Sequence, residues 1–308
     1  MNQSVNRLLI TLIVCFIGLQ ACKREVDDVE NQRVANSEPV PAQSVDNIPY
    51  GQLPRDVMPT AYQLVLTIVP EEDEFNGKTT IDMEFKTAKN HFYLHGKDLD
   101  ATRVEITHNG ETFEATYEQV DKSGIVKITS PRVLQGDVSL SIEYKAPFNQ
   151  ALQGLYKVVE SGKGYAFTQF EAISARLAFP GFDEPGFKTP FEITMIVPEN
   201  QVAITNTPEV SHEVVDGMKV THFAPTKPLP TYLIAFAVGD LDVVEWTDLP
   251  ATDIRPRPLP LRGIAVKGKG EQLGYALAGT EAIVTALESY FGTPSPWAKL
   301  DILAVPDF

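Results

Sequence analysis

Histidine, cysteine and acidic side chains are the residues of this 308-residue chain that could bind metal or move protons. His91 and His95 stand four apart, the spacing at which two imidazoles on one helix face share a zinc ion. The intervening Phe92-Tyr93-Leu94 favours a strand instead, where four residues span about 13 Å. At that distance the two rings cannot share one ion. His108, His212 and His222 lack any His-Glu-x-x-His context, so no zinc site is expected from the histidines. No Gly-x-Ser-x-Gly elbow, phosphate-binding glycine loop or dinucleotide fingerprint occurs. The two cysteines, Cys15 and Cys22, both lie near the amino terminus. The sequence thus presents no catalytic constellation and no metal ligands. It does present a dense mixture of charge and aromatic residues: Thr168-Gln169-Phe170-Glu171-Ala172, followed by Ala175-Arg176-Leu177-Ala178-Phe179-Pro180-Gly181-Phe182-Asp183-Glu184-Pro185-Gly186-Phe187-Lys188. On an extended backbone Gln169 and Glu171 point to one side and Phe170 to the other, so two polar groups face outward around a core anchor.

The surrounding sequence predicts strands. Tyr62, Leu64, Leu66 and Ile68 alternate with polar or smaller residues, as do Thr79, Ile81, Met83 and Phe85. Further strand-like runs cover Val104 to Thr107, Phe113 to Val120, Ile125 to Thr129, Val138 to Tyr144, Phe191 to Val197, Val202 to Thr205, Val220 to Phe223 and Tyr232 to Val238. Asn76-Gly77, Asn109-Gly110, Ser123-Gly124 and Gln135-Gly136 read as turns between them. Many short strands at this spacing predict a mainly β fold, an antiparallel β-sandwich or curved sheet assembly over residues 48–258. After Pro250, Pro256, Pro258 and Pro260 the period changes. Leu273, Leu277, Thr280, Ile283, Val284, Leu287 and Phe291 fall on one helical face, Gly292 ends the run, and Leu300 to Val305 returns to a strand pattern. Residues 259–308 are therefore expected to begin a second domain. The apolar helix face has no obvious partner in the sequence, which predicts loose packing from about Arg262 onward.

The first 21 residues differ from the rest. Arg7 precedes the apolar run Leu8 to Leu19, which matches a signal-peptide core and is short for a permanent span. Leu19-Gln20-Ala21-Cys22 resembles the lipobox of bacterial lipoproteins, which implies export, cleavage before Cys22 and lipidation of that residue, anchoring the protein to a bacterial membrane. Residues 22–47 are polar and acidic, lack aromatics and show no useful periodicity, the composition of a disordered tether. With 41 acidic against 26 basic side chains, the formal net charge of −15 repels a phosphate backbone and argues against nucleic-acid binding.

The run from Thr168 to Lys188 resembles the pattern T-Q-[FM]-[EQ] followed by A-R-x-x-F-P-C-F-D-E-P-x-x-K of the aminopeptidase N family of zinc metallopeptidases. Three other stretches agree in the same order: Val57 to Val69 with the opening strand, Thr226 to Asp240 with T-P-x-x-S-T-Y-L-x-A-F-x-V-G-D, and Leu300 to Phe308 with K-L-D-x-x-A-V-P-D-F. The resemblance spans Tyr50 to Phe308. It implies a saddle-shaped β domain leading into a thermolysin-like α+β catalytic domain that removes residues from free peptide amino termini with zinc. It further implies that Gln169 lines the pocket for the first side chain and that Glu171 binds the substrate ammonium. Arg176, Asp183, Glu184 and Lys188 are expected to order the loop and the domain junction. Gly181 departs from the usual cysteine there. The Gly-Ala-Met-Glu-Asn, His-Glu-x-x-His, downstream glutamate and transition-state tyrosine segments of the family do not occur, so the chain is expected to be a truncated, substrate-recognising portion that is inactive alone, without zinc ligands of its own. Two rival expectations are a stand-alone peptide- or protein-binding surface lipoprotein and a purely structural β-sandwich.

Overall fold

The computed structural model describes residues 48–306; the expected signal peptide, Cys22 and the tether, together with Asp307 and Phe308, lie outside the described residues. In chain order the strands are β1 (Val57–Thr67), β2 (Glu74–His95), β3 (Asp100–His108), β4 (Glu111–Glu114), β5 (Thr116–Gln119), β6 (Ile125–Pro147), β7 (Gly154–Glu160) and β8 (Lys163–Gln169). They continue with β9 (Phe191–Pro198), β10 (Val202–Thr205), β11 (Glu209–Val215), β12 (Met218–Phe223), β13 (Phe236–Gly239), β14 (Leu241–Glu245) and β15 (Leu261–Val266). The helix α1 (Gly274–Phe291) and β16 (Leu300–Ala304) complete the set, in agreement with the mainly β expectation.

These strands form three layers. A nine-stranded sheet runs β11-β12-β9-β1-β2-β6-β3-β4, with β5 attached to β6. Its long members β2 and β6 pair antiparallel, whereas β1 and β9 are parallel, so the sheet is mixed. Its inner face carries Leu64, Leu66, Ile81, Leu140 and Ile142, which share one core with Leu155, Ala166, Phe170, Ala203, Phe236 and Val238 from the four-stranded sheet β10-β13-β8-β7. Alternation exposes the other residues of that small sheet on its opposite face. There Tyr156, Tyr165, Phe167, Ile204 and Ala237 pack against Leu241, Ile264 and Val266 of the third sheet, β14-β15-β16. Because β14 pairs with β15, that third sheet is drawn from both sides of residue 258.

Several local expectations change. Asn76-Gly77 is not a turn: it lies inside β2, opposite Lys145 and Tyr144, and the chain reverses earlier, at Pro70–Asp73. Gly77 is needed for close approach, since a Cβ there would stand 2.3 Å from the Tyr144 ring. Gln135-Gly136 likewise lies within β6, where Gly136 takes a φ of 75° close to the irregularity in the β2–β6 register. Ile125 to Thr129 and Val138 to Tyr144 are therefore two ends of one strand. Asn109-Gly110 does form the β3–β4 hairpin turn, with both residues at positive φ. Phe113 to Val120 divides at Ala115 into β4 and β5, and Tyr232 to Val238 opens as part of the 3-10 helix Thr231–Leu233 before becoming β13.

Loose packing from Arg262 is corrected for β15 and the start of α1 only. Strand β15 is held between β14 and β16, and Leu261, Ala265, Leu273 and Leu277 form a third apolar cluster with Leu249 and Leu259. From α1, Leu277 and the partly buried Val284 contribute to it, whereas Ile283, Leu287 and Phe291 are exposed. The helix ends as its sequence requires, with Gly292 at φ 65° donating its N–H to the Glu288 carbonyl at 2.8 Å.

Candidate functional site

The chemistry-bearing run begins where β8 stops. Gln169 is the last residue of that strand and lies opposite Gly154. Phe170, next along, points into the main core, meeting Phe179 and Phe236 edge to face at centroid distances of 5.8 and 5.7 Å. Gln169 is half-buried and Glu171 exposed, and the Glu171 N–H donates to Gln169 Oε1 at 3.2 Å. That contact engages the carbonyl end of the Gln169 amide and leaves its Nε2 donors for another acceptor. The chain then turns: the Ser174 N–H donates to the Phe170 carbonyl at 2.8 Å, and Gln153 Nε2 donates to Ser174 Oγ at 3.0 Å. Gln169 and Glu171 are thus fixed by a buried aromatic between them and a tied turn after them.

Behind the turn lies a buried polar hub. Arg176, in the 3-10 helix Ala175–Leu177, donates through Nε to Asp183 Oδ2 at 2.9 Å, through one terminal nitrogen to the Ser123 carbonyl and through the other to the Asp183 carbonyl, both at 3.0 Å. Thr231 Oγ1 donates to Asp183 Oδ1 at 2.5 Å, and the Asp183 N–H donates to His95 Nδ1 at 3.2 Å. His95 is therefore a neutral acceptor at Nδ1. Burial, reinforced by the Arg176 charge, pushes its pKa down to about 3. Next in sequence, Glu184 accepts the Leu53 N–H at 2.5 Å and pairs with Arg55, whose guanidinium lies 3.9 Å over the Phe187 ring. Lys188 is exposed and takes no part in the hub. Of the other hub members, His95 stands out in the sequence only as half of a rejected metal pair and Thr231 not at all; a polar threonine amid the apolar residues after Pro230 is the available signal.

Gly181 has a local explanation. A Cβ at that position would meet Tyr62 Oη at 3.0 Å, and that hydroxyl accepts the Phe182 N–H at 2.8 Å. The tyrosine occupies the space a side chain would need.

The histidine pair is separated by the strand geometry anticipated for it, as His91 and His95 both belong to β2. Among the described residues no group of three or more His, Cys, Asp or Glu side chains is placed to hold a metal ion. These residues do not fit a zinc site, and no catalytic step is derived through one.

Residues 58–233 match the model of the Peptidase M1 N-terminal domain. Aminopeptidase N of Acetobacter pasteurianus is 31% identical over 264 residues, covering 83% of this chain and 71% of that protein. Aminopeptidase M1-C of Oryza sativa subsp. japonica is 30% identical over 276 residues, and the glutamyl aminopeptidase of Mus musculus 30% identical over 272. The matches cover 88% and 83% of this chain but only 30% and 28% of those two proteins. On the match across residues 58–233, and on the bacterial relative aligned over most of its length, this chain belongs to the M1 aminopeptidase family, whose amino-terminal domain it carries.

Proposed function

We propose that this chain is the amine-recognising part of an aminopeptidase acting on peptides with free amino termini. Glu171 receives the peptide ammonium, Gln169 lines the space for the first side chain, and the Arg176–Asp183 hub holds both in register. Hydrolysis in the family is zinc chemistry, in which the metal activates water and polarises the scissile carbonyl. The described residues of this chain supply binding and orientation. The observation that carries the reading is exposed Glu171 bonded through its N–H to the half-buried Gln169 side chain, with buried Phe170 between them.

Magnitude follows from exposure. A carboxylate about 4 Å from an ammonium contributes up to about 4 kcal/mol at intermediate dielectric. Glu171 is exposed, so in this chain alone the pair is worth about 0.2 to 1 kcal/mol, a preference of up to about fivefold for free over acetylated amino termini. Calorimetric titration of the purified chain with a free and an N-acetylated tripeptide amide tests this. The expected result is a modest preference for the free amine that Glu171→Gln abolishes; equal binding of the two peptides to the wild-type chain would refute the role of Glu171. The same preparation, supplied with zinc, is expected to release no chromophore from an alanyl anilide. Sustained turnover would refute the assignment of recognition without catalysis.

We further propose export and membrane attachment through a lipidated Cys22, resting on the Leu19-Gln20-Ala21-Cys22 run. Incorporation of radiolabelled palmitate that Cys22→Ser eliminates is the expected result in a bacterial host; a cytosolic, unmodified product would overturn it.

A further inference from the structure

A buried lysine closes one end of a cavity of about 300 Å³ lined jointly by two sheets. The four-stranded sheet contributes Ile204 and Ala237 to the lining and β16 contributes Leu300 and Leu303; neither Gln169 nor Glu171 takes part. Leu233, Trp297 and Leu303 are 45, 38 and 39% exposed, so the mouth is apolar and open to solvent. Lys299, whose side chain is 8% exposed, donates through Nζ to the Thr205 carbonyl at 2.7 Å and to Asp301, and all three residues line the cavity. Asp301 is also held by Arg262, through Nε to Oδ1 and through a terminal nitrogen to Oδ2, each at 2.9 Å. Two cations therefore share one carboxylate, and the cluster carries one positive charge in excess.

From this charge imbalance at the end of an apolar cavity we propose a site for a small monocarboxylate with an aromatic or branched hydrocarbon body. The carboxylate lies on Lys299 Nζ and the body against Ile204 and Leu303. Two acceptors leave one of the three ammonium N–H groups of Lys299 uncommitted among the described residues, which suits a single anionic oxygen. A surplus of one charge matches a monoanion and leaves a dianion such as phosphate half uncompensated. Burial holds the Lys299 ammonium below the ordinary lysine range despite Asp301, the behaviour of a buried charge short of counter-charge. Glu209 and Glu245, which also act on Arg262, are exposed and line an adjoining cavity of about 370 Å³ instead. The size is at the lower end of small-molecule sites, suited to a single ring with a short acid arm.

The test titrates 3-phenylpropionate, its neutral isostere 3-phenylpropanamide, and propionate into the full chain carrying Trp246→Phe, which leaves Trp297 at the mouth as the single indole. The aromatic acid is expected to shift Trp297 emission. It is also expected to bind at least about tenfold more tightly than the amide, which lacks the charge, and than propionate, which lacks the ring. Lys299→Met is expected to erase the preference for acid over amide; Arg262 still holds both Asp301 oxygens in that variant, so the carboxylate keeps its counter-charge. Leu303→Asp, at the exposed mouth, sets a like charge beside the ligand and is expected to weaken the acid more than the amide. Glu171→Gln is expected to change none of these affinities. Equal affinity for acid and amide, equal affinity for the two acids, or no binding of the aromatic acid would each overturn the proposal. An acid preference that survives intact in either cavity variant, or that Glu171→Gln removes, would do the same. Trp297 emission that changes with protein concentration before any addition would assign the cavity to a second copy of the chain, also against the proposal.

Discussion

Asp183 is the side chain on which the loop behind Glu171 depends most. Its carboxylate and the Arg176 guanidinium are 2 and 6% exposed, and each of its oxygens accepts at least one bond. Asp183→Asn leaves a buried guanidinium without its counter-charge, for which about 3 to 5 kcal/mol of destabilisation is expected in urea unfolding. Glu184→Gln, which breaks an ion pair to the largely exposed Arg55, is expected to cost no more than about 1 kcal/mol. Similar losses for the two variants would contradict the hub. His95 adds a pH dependence. Its pKa falls from about 6.5 in the unfolded chain to about 3 in the fold, so the unfolded state binds the extra proton first as pH drops. The stability held by the neutral ring is complete above about pH 6.5 and is lost progressively toward pH 3. Between pH 7 and 5 the loss is about 2 kcal/mol. The groups facing this ring are the Arg176 charge and the Asp183 N–H, so His95→Asn, which keeps an acceptor for that N–H, should flatten this part of the stability profile. An unchanged slope would exclude His95 as its source.

At the scale of elements, α1 divides into a structural half and an exposed half. Leu277 is 1% exposed within the cluster under β15, whereas Leu287, on the same helical stripe, is 51% exposed. Leu277→Ala is expected to lower stability by about 2 to 5 kcal/mol, and Leu287→Ala to change it by about 0.5 kcal/mol or less, read from urea midpoints. The apolar spacing alone gives both leucines the same weight. Their difference arises because the cluster formed with β15 and the loop around Leu249 and Leu259 takes in Leu277 and Val284 but not Leu287. A second clasp acts at the far end: Arg255 donates to Glu288 at 2.9 Å, and both side chains are buried, which ties the proline-rich segment before β15 to the last turns of α1.

At the scale of the molecule, the three sheets share their cores through the two faces of the four-stranded layer. Strand β15 is consequently part of a continuous packed body. Hydrogen exchange should protect the β15 amides to a degree comparable with β8, while the end of α1 around Tyr290 and Phe291 exchanges quickly; uniformly fast exchange from Arg262 onward would show that the third layer is not packed. Much of this architecture was legible as a sequence. Period-two alternation in β1 and β2, the change of period before α1 and the glycine that ends it are local properties of backbone and side chain, so they could be read without knowing any neighbour. The burial of Phe170 between half-buried Gln169 and exposed Glu171 was legible for the same reason. Which glycines turn the chain was not: Gly77 is demanded by the Tyr144 ring from a strand some 67 residues away, a contact that exists only once β2 and β6 pair. The recruitment of His95 and Thr231 to Asp183 and the burial of part of α1 likewise depend on strand order and register. The sequence by itself determined the β class, the family and the placement of Gln169 and Glu171 on either side of Phe170, because these follow from nearest-neighbour chemistry and ordered motifs. Tertiary structure alone decided what stands behind and beside that pair, because burial and proximity are properties of distant residues brought together.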